Sequence, residues 1–128
     1  MKSSVIAICL AGYRKESNLT DPRETVHLLH VLGYLYGCHG QAKRGAAYLL
    51  IAAQLSPGNA GVLRTLAHLL ILDGEADKAL ATIARLETLE GMDHPTLALL
   101  KSRALLVAGR KAEAHNALRN FLSRRAAE

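Results

Sequence analysis

Apolar and polar positions along the chain follow the period of amphipathic helices. In the stretch LGYLYGCHGQAKRGAAYLLIAAQLSP, Leu32 to Pro57, apolar residues recur three and four positions apart, as they do along one face of an α-helix. Gly40 divides this stretch, and a glycine there predicts the left-handed residue that ends one helix before the next begins. No segment shows the strict alternation that half-buried strands require. The pattern therefore predicts an all-α fold.

Capping residues place the ends of the predicted helices. Asp21 is followed by Pro22, and Glu24 occupies the third helical position, an order that favours a helix start with a capping box. Asn59 is the corresponding cap of a later helix. The predicted elements are a leading helix at 3–15 and helix pairs at 22–39 and 42–55, 59–72 and 76–89, and 95–108 and 111–125. No low-complexity linker separates them, so residues 1–128 are interpreted as one domain.

The chain repeats itself at a nearly constant interval. Gly40, Gly74 and Gly109 are separated by 34 and then 35 positions. Aligned on these glycines, the copies are VLGYLYGCHGQAKRGAAYLLIAAQLSP, TLAHLLILDGEADKALATIARLETLEG and LKSRALLVAGRKAEAHNALRNFLSRRA. The positions that coincide include the small residues Gly33, Ala67 and Ser102 and the apolar residues Leu49, Ile83 and Leu118. Because small residues let two helices approach closely, each copy is predicted to fold as helix, glycine turn and helix.

This repeat resembles the tetratricopeptide-repeat family. The first copy matches the family pattern at Leu32-Gly33, Tyr36, Gly40, Ala52 and Pro57. The second keeps Leu66, Ala67, Gly74 and Ala79. The third is less regular and has Lys101 at a normally apolar position. Over about residues 25–125, the resemblance implies an α-solenoid of about three helix-turn-helix repeats, near 22–57, 59–91 and 95–125, behind one leading helix.

The charge of the chain narrows the class of partner only slightly. Sixteen Lys and Arg against eleven Asp and Glu give a net charge of +5, which allows weak attraction to acidic partners. The basic residues are scattered, and the five aromatic residues sit at packing intervals. We therefore do not expect nucleic-acid binding.

The start of the chain and its cysteines bear on location. The apolar run from Val5 to Gly12 is short for a secretory signal and far from the roughly 20 apolar residues of a membrane span. Export is the alternative interpretation of this run, and a cytoplasmic leading helix is the favoured one. Cys9 and Cys38 form neither a CxxC motif nor a disulfide framework, which suits thiols in a reducing cytosol. We expect a cytoplasmic protein without membrane insertion.

The histidines raise the question of metal binding or catalysis. His27 and His30 share a helix face, but a metal site needs a third ligand and only Glu24 lies one turn away. The sequence has no G-x-S-x-G elbow and no glycine-rich phosphate loop. We therefore expect no enzyme activity, no metal site and no cofactor.

The family resemblance implies where a protein partner would bind. In tetratricopeptide domains, ligand contacts come from recurrent positions on the first helix of each repeat, and these helices line a concave face. At those positions this sequence has His27, His30, Tyr34, Cys38, Arg64, His68, Ile71, Leu72, Leu99, Arg103 and Leu106. For each of these residues, packing against the leading helix or exposure to solvent is the alternative interpretation.

A further resemblance concerns the type of partner. A short chain with three repeats behind one helix, containing YLLIAAQLSPGNAGVLRTLAHLLILDGEADKAL, is similar to the small chaperones of bacterial type III secretion, the YscY and YscG group. This resemblance implies a cytoplasmic chaperone that holds an amphipathic helix of a small secreted protein in its groove. The chain would be a monomer or weak dimer alone and a heterodimer with that partner. A scaffold or adaptor subunit of a larger permanent assembly is the alternative.

In this interpretation the apolar groove residues bury the partner's apolar stripe. Arg64 and Arg103 pair with acidic groups that flank the stripe and so fix its register.

Overall fold

The computed structural model describes residues 21–91 and 94–127 of the chain. These residues form six α-helices, and no strand occurs among them. In chain order the helices are α1 (Pro22–Cys38), α2 (Ala42–Leu55), α3 (Ala60–Leu72), α4 (Ala76–Glu90), α5 (Pro95–Val107) and α6 (Lys111–Ala127). The prediction of an all-α fold is confirmed, and every boundary falls within two residues of its predicted place. The leading helix predicted at 3–15 lies outside the described residues.

Two of the helices begin at the predicted capping residues. The Asp21 carboxylate accepts a hydrogen bond from the Arg23 N–H at 3.0 Å, at the start of α1. The Asn59 side chain accepts one from the Val62 N–H at 3.2 Å, at the start of α3. The predicted capping box does not form, because the Asp21 carboxylate accepts from the second helical residue, Arg23, and not from the third, Glu24. The Oε2 atom of Glu24 is buried without a hydrogen-bond partner.

The turns inside the three helix pairs share one geometry. Gly40, Gly74 and Gly109 have φ angles of 77°, 80° and 81°, in the left-handed region that glycine tolerates. In each turn the N–H after the glycine donates to the carbonyl oxygen five residues earlier. These bonds run from Gln41 to Tyr36, from Glu75 to Leu70 and from Arg110 to Leu105, each at 2.9 Å. The predicted glycine-ended helices are thus confirmed as Schellman motifs.

Helix α3 forms the centre of the core. Seven of its 13 residues are buried, among them Leu63, Leu66 and Ala67. It contacts α2 and α4, its neighbours in sequence, and also α1 and α5. One buried apolar cluster extends from Val26 on α1 to Ala104 on α5. The core is therefore continuous across the three helix pairs as far as α5.

Two facing glycines bring α1 and α2 close together. A Cβ atom at Gly33 would lie 2.8 Å from Leu49 Cγ and 2.9 Å from the Gly45 carbonyl oxygen. A Cβ atom at Gly45 would lie 2.5 Å from the Gly33 carbonyl oxygen and 2.9 Å from Leu69 Cδ1. The predicted need for a small residue at Gly33 is confirmed. Gly45 has the same role, although its sequence position did not predict it.

The first helices of the pairs lie beside one another. Within the described part of the chain, α1 contacts α3 and α3 contacts α5, whereas α2, α4 and α6 make no mutual contact. Each following first helix also contacts the second helix of the preceding pair, as α3 does α2 and α5 does α4. A first helix therefore packs into the seat between the two helices before it. Leu69 of α3 marks this seat, because it approaches both Gly37 and Gly45.

Candidate functional site

A groove with a volume of about 470 Å³ crosses the three first helices. We call it the first-helix groove. Its lining residues are Tyr34, Gly37 and Cys38 from α1, Arg64, Thr65, His68, Leu69 and Leu72 from α3, and Thr96 and Leu100 from α5. It is open because the first helices lie side by side without a further layer over them among the described residues.

Five of the eleven predicted binding residues line this groove. They are Tyr34, Cys38, Arg64, His68 and Leu72. Tyr34 is 58% exposed and Leu72 is 53% exposed, so both offer apolar surface to a ligand. The structure thus brings together side chains that lie up to 38 positions apart in the sequence.

Five more of the predicted residues lie outside the groove lining. His30 and Arg103 each hydrogen-bond to a lining residue. His27 is exposed on α1. Leu99 and Leu106 are exposed on α5. The α5 residues of the prediction therefore belong to the first helices without forming part of the groove itself.

Ile71 requires a correction. It is only 6% exposed and belongs to the buried cluster. Its equivalent in the first copy, Gly37, faces Leu69 of the following first helix, and from this equivalence we infer that Ile71 faces the following helix pair. Ile71 is a core residue and offers almost no surface to a partner.

Half of the groove lining was not predicted from the sequence: Gly37, Thr65, Leu69, Thr96 and Leu100. Gly37 had a signal, because it stands at the position where the second and third copies have Ile71 and Leu106. A side chain there would collide with Leu69. A glycine replaces an apolar residue at this point, and the result is close contact between α1 and α3.

Arg64 forms an ion pair within the chain. Its guanidinium contacts Glu90 at the end of α4, and Glu90 also lies 3.3 Å from His94 Nε2. The Glu90 side chain is 13% exposed, so this carboxylate needs a charged partner within the fold. Arg64 therefore fixes the end of α4 against α3, and its charge is already matched inside the chain.

His68 and Arg103 form the cationic part of the groove rim. Arg103 Nη1 lies 3.1 Å from His68 Nδ1. A guanidinium can only donate, so Nδ1 accepts and the neutral imidazole carries its proton on Nε2. Burial, and then the positive charge of Arg103, lower the pKa of His68 below its ordinary value of 6.5. At neutral pH the pair thus carries one positive charge, on Arg103.

A second histidine bond joins α1 to α3. His30 Nε2 lies 2.8 Å from Thr65 Oγ1, and Thr65 donates its hydroxyl proton to the Gly61 carbonyl oxygen at 3.1 Å. His30 must therefore donate from Nε2. Burial, and then the neighbouring His27, lower the pKa of His30 below 6.5. Along the groove, each pair of adjacent first helices is linked by one histidine.

The chemistry of the lining suits binding. No carboxylate is among the lining residues, and interaction with the neighbouring Cys38 thiol raises the pKa of the Tyr34 phenol. Residues 21–91 and 94–127 contain no cluster of three or more His, Cys, Asp or Glu that could hold a metal ion. The groove presents an apolar surface beside a cation.

Comparison with known proteins adds no family. Neither the protein-family models nor the curated proteins include a match to this chain. None of the helices described combines the length and the apolarity that crossing a membrane requires.

Proposed function

We propose that this chain is a non-catalytic protein-binding module of the tetratricopeptide type, an α-solenoid that holds an amphipathic helix of a protein partner in the first-helix groove. The observation that carries the proposal is the groove itself, which joins exposed Tyr34 and Leu72 with the Arg103–His68 pair. The glycine turns and the side-by-side first helices support the repeat architecture.

The specific form that we propose is a cytoplasmic chaperone of bacterial type III secretion. Its support is the likeness of the repeat layout to the YscY and YscG group. A secreted partner would bury its apolar stripe in the groove and stay soluble until export. Heterodimer formation follows, because one groove accommodates one helix.

The groove explains how a partner helix would be oriented. Tyr34 on α1 and Leu72 on α3 are exposed and would contact the apolar stripe of the partner helix. Side chains that become buried in this way contribute most of the energy of an interface. Arg103 would pair with a carboxylate beside the stripe. Arg64 is bound to Glu90 and is therefore reserved for the fold.

The anchoring residues give the first test. The partner is first captured from the native host and identified by mass spectrometry, and its binding is then measured by calorimetry. Tyr34→Ala and Leu72→Ala are expected to weaken binding by about 1–3 kcal/mol each. Leu89→Ala is the matched control, since Leu89 is 48% exposed but lies on α4 outside the groove. Unchanged binding by both groove variants, with thermal melts intact, would show that the partner uses another surface.

The two arginines separate binding from folding. Arg103→Glu is expected to slow association and reduce its salt dependence, with little effect on the melting temperature. Arg64→Glu is expected to lower the melting temperature, because it places a second carboxylate against the largely buried Glu90. Stopped-flow kinetics and thermal melts on both variants check this, and equal effects of the two would contradict the assignment.

A further inference from the structure

The third helix pair exposes leucines at positions that the earlier pairs bury. Leu118 is 37% exposed, whereas Ile83 and Leu49, at the same position of the earlier copies, are 1% and 0% exposed. Leu106 is 53% exposed, whereas its equivalent Ile71 is 6% exposed. The chemistry of the position is unchanged, so the difference comes from what covers it.

The residues equivalent to Leu122 in the earlier copies show which element packs on this position. Leu122 is 57% exposed and corresponds to Ala53 and Glu87. Ala53 lies with Leu63 of α3 in one cavity, and Glu87 forms an ion pair with Lys101 of α5 at 3.3 Å. In both cases the position faces the first helix of the following pair.

The space between α5 and α6 is therefore a seat for one more helix that none of the described helices fills. Helix α3 occupies this seat on α1 and α2, and α5 occupies it on α3 and α4. No described helix packs there on the third pair. We call this surface, formed by Leu106, Leu118 and Leu122, the terminal seat.

Charge identifies the occupant that suits the seat. Residues 95–127 contain seven Lys or Arg and a single acidic residue, Glu113, which pairs with Arg110 at 2.5 Å. Residues 58–91 contain three Lys or Arg and five acidic residues, so the positive charge is concentrated in the pair that carries the seat. Two such ends would repel each other, whereas carboxylates would be attracted.

We propose that the terminal seat binds an acidic amphipathic helix of a protein partner, which packs between α5 and α6 as a following first helix would. Its apolar stripe contacts Leu106, Leu118 and Leu122, and glutamates or aspartates flanking the stripe face the basic surface of α6. This surface is separate from the first-helix groove, so the two can be occupied independently.

The test uses a small panel of synthetic helical peptides with leucines at helical spacing and glutamates on the flanks, together with counterparts in which lysine replaces each glutamate. Fluorescence anisotropy is expected to show binding of an acidic peptide and at least tenfold weaker binding of its lysine counterpart. Leu122→Asp is expected to weaken the acidic peptide at least tenfold. Leu89→Asp is the control, because Leu89 is similarly exposed but lies on α4 away from the seat.

Several results would overturn the proposal. One is that no acidic peptide binds, and another is that the lysine peptides bind equally well. A third is that Tyr34→Ala, and not Leu122→Asp, abolishes peptide binding, which would place the peptide in the first-helix groove. Sedimentation that shows self-association abolished by Leu122→Asp would make a second copy of the chain the occupant. If Tyr34→Ala and Leu72→Ala weaken binding of the captured partner while the acidic peptides do not bind, the proposal for the terminal seat fails and the proposed groove function stands.

Discussion

Gly33 and Gly45 let the backbones of α1 and α2 approach closely, because neither residue has a side chain. The Gly33 carbonyl oxygen belongs to the backbone of α1 and cannot move aside for an added methyl group. Overpacking at this crossing therefore strains both helices. At Gly61 on α3, by contrast, an added Cβ would meet only ordinary contacts, 3.4 Å from Asn59 Oδ1 and 3.8 Å from His30 Cε1.

We expect Gly45→Ala to lower the free energy of unfolding by about 1–3 kcal/mol, since the clash outweighs the better helix propensity of alanine. Gly61→Ala is the matched control and is expected to be neutral or to stabilise by up to about 1 kcal/mol. Urea unfolding followed by circular dichroism measures both. A stabilising effect of Gly45→Ala would show that the helices can separate at low cost.

The two histidines with lowered pKa values make stability depend on pH. Because the folded state holds the pKa of His30 and of His68 below 6.5, the unfolded chain takes up more protons as the pH falls through that value. Stability is therefore expected to fall with decreasing pH in this window, seen as a lower melting temperature at about pH 5.5 than at about pH 7.5. His30→Gln with His68→Gln should lose part of this dependence. An unchanged pH profile in the double variant would contradict this prediction.

At the scale of the element, the helices differ in how they start. Helix α3 begins with the Asn59 side chain bonded to the Val62 N–H, whereas α4 begins at Glu75 without a side-chain cap bond. Helix α3 contacts four other helices, more than any other helix described, so a change in its stability affects more of the fold.

Removing the cap of α3 is expected to cost about 1 kcal/mol of unfolding free energy in Asn59→Ala, because the Val62 N–H loses its partner. Glu75→Ala is expected to change stability by less than about 0.5 kcal/mol. Thermal and urea unfolding of the two variants compare them directly. Equal losses would mean that the capping bond contributes nothing specific.

At the scale of the molecule, contact is unevenly distributed. Helix α3 packs on α1, α2, α4 and α5, whereas α6 packs only on α5 among the described helices. The exposed leucines of α6 gain little from burial, and its positive charges repel one another. Both effects weaken the packing of α6 on α5. Among the described helices, α6, which carries part of the terminal seat, therefore has the least packing against its neighbours.

Native-state hydrogen exchange should show this gradient. We expect amides of α6 to exchange through local opening at a lower free energy, and amides of α3 to exchange only through global unfolding. An acidic peptide bound at the terminal seat should raise the protection of α6. Uniform protection along the chain would contradict the gradient.

Local signals in the sequence determined the helices and their turns. Gly40, Gly74 and Gly109 end helices through bonds that span five residues, and Asp21 and Asn59 start them through bonds that span two or three. Such contacts join residues at most five positions apart, so the local sequence carries the information. The all-α fold and the boundaries followed from them.

The candidate site depended on packing between residues about 35 positions apart, which only the tertiary structure decided. Ile71 and Leu106 occupy the same repeat position, yet Ile71 is buried and Leu106 is exposed. Arg64 found its partner in Glu90, 26 positions away, although the sequence offered other carboxylates. Burial and charge pairing depend on which surfaces meet in space, and periodicity along the chain does not contain that information.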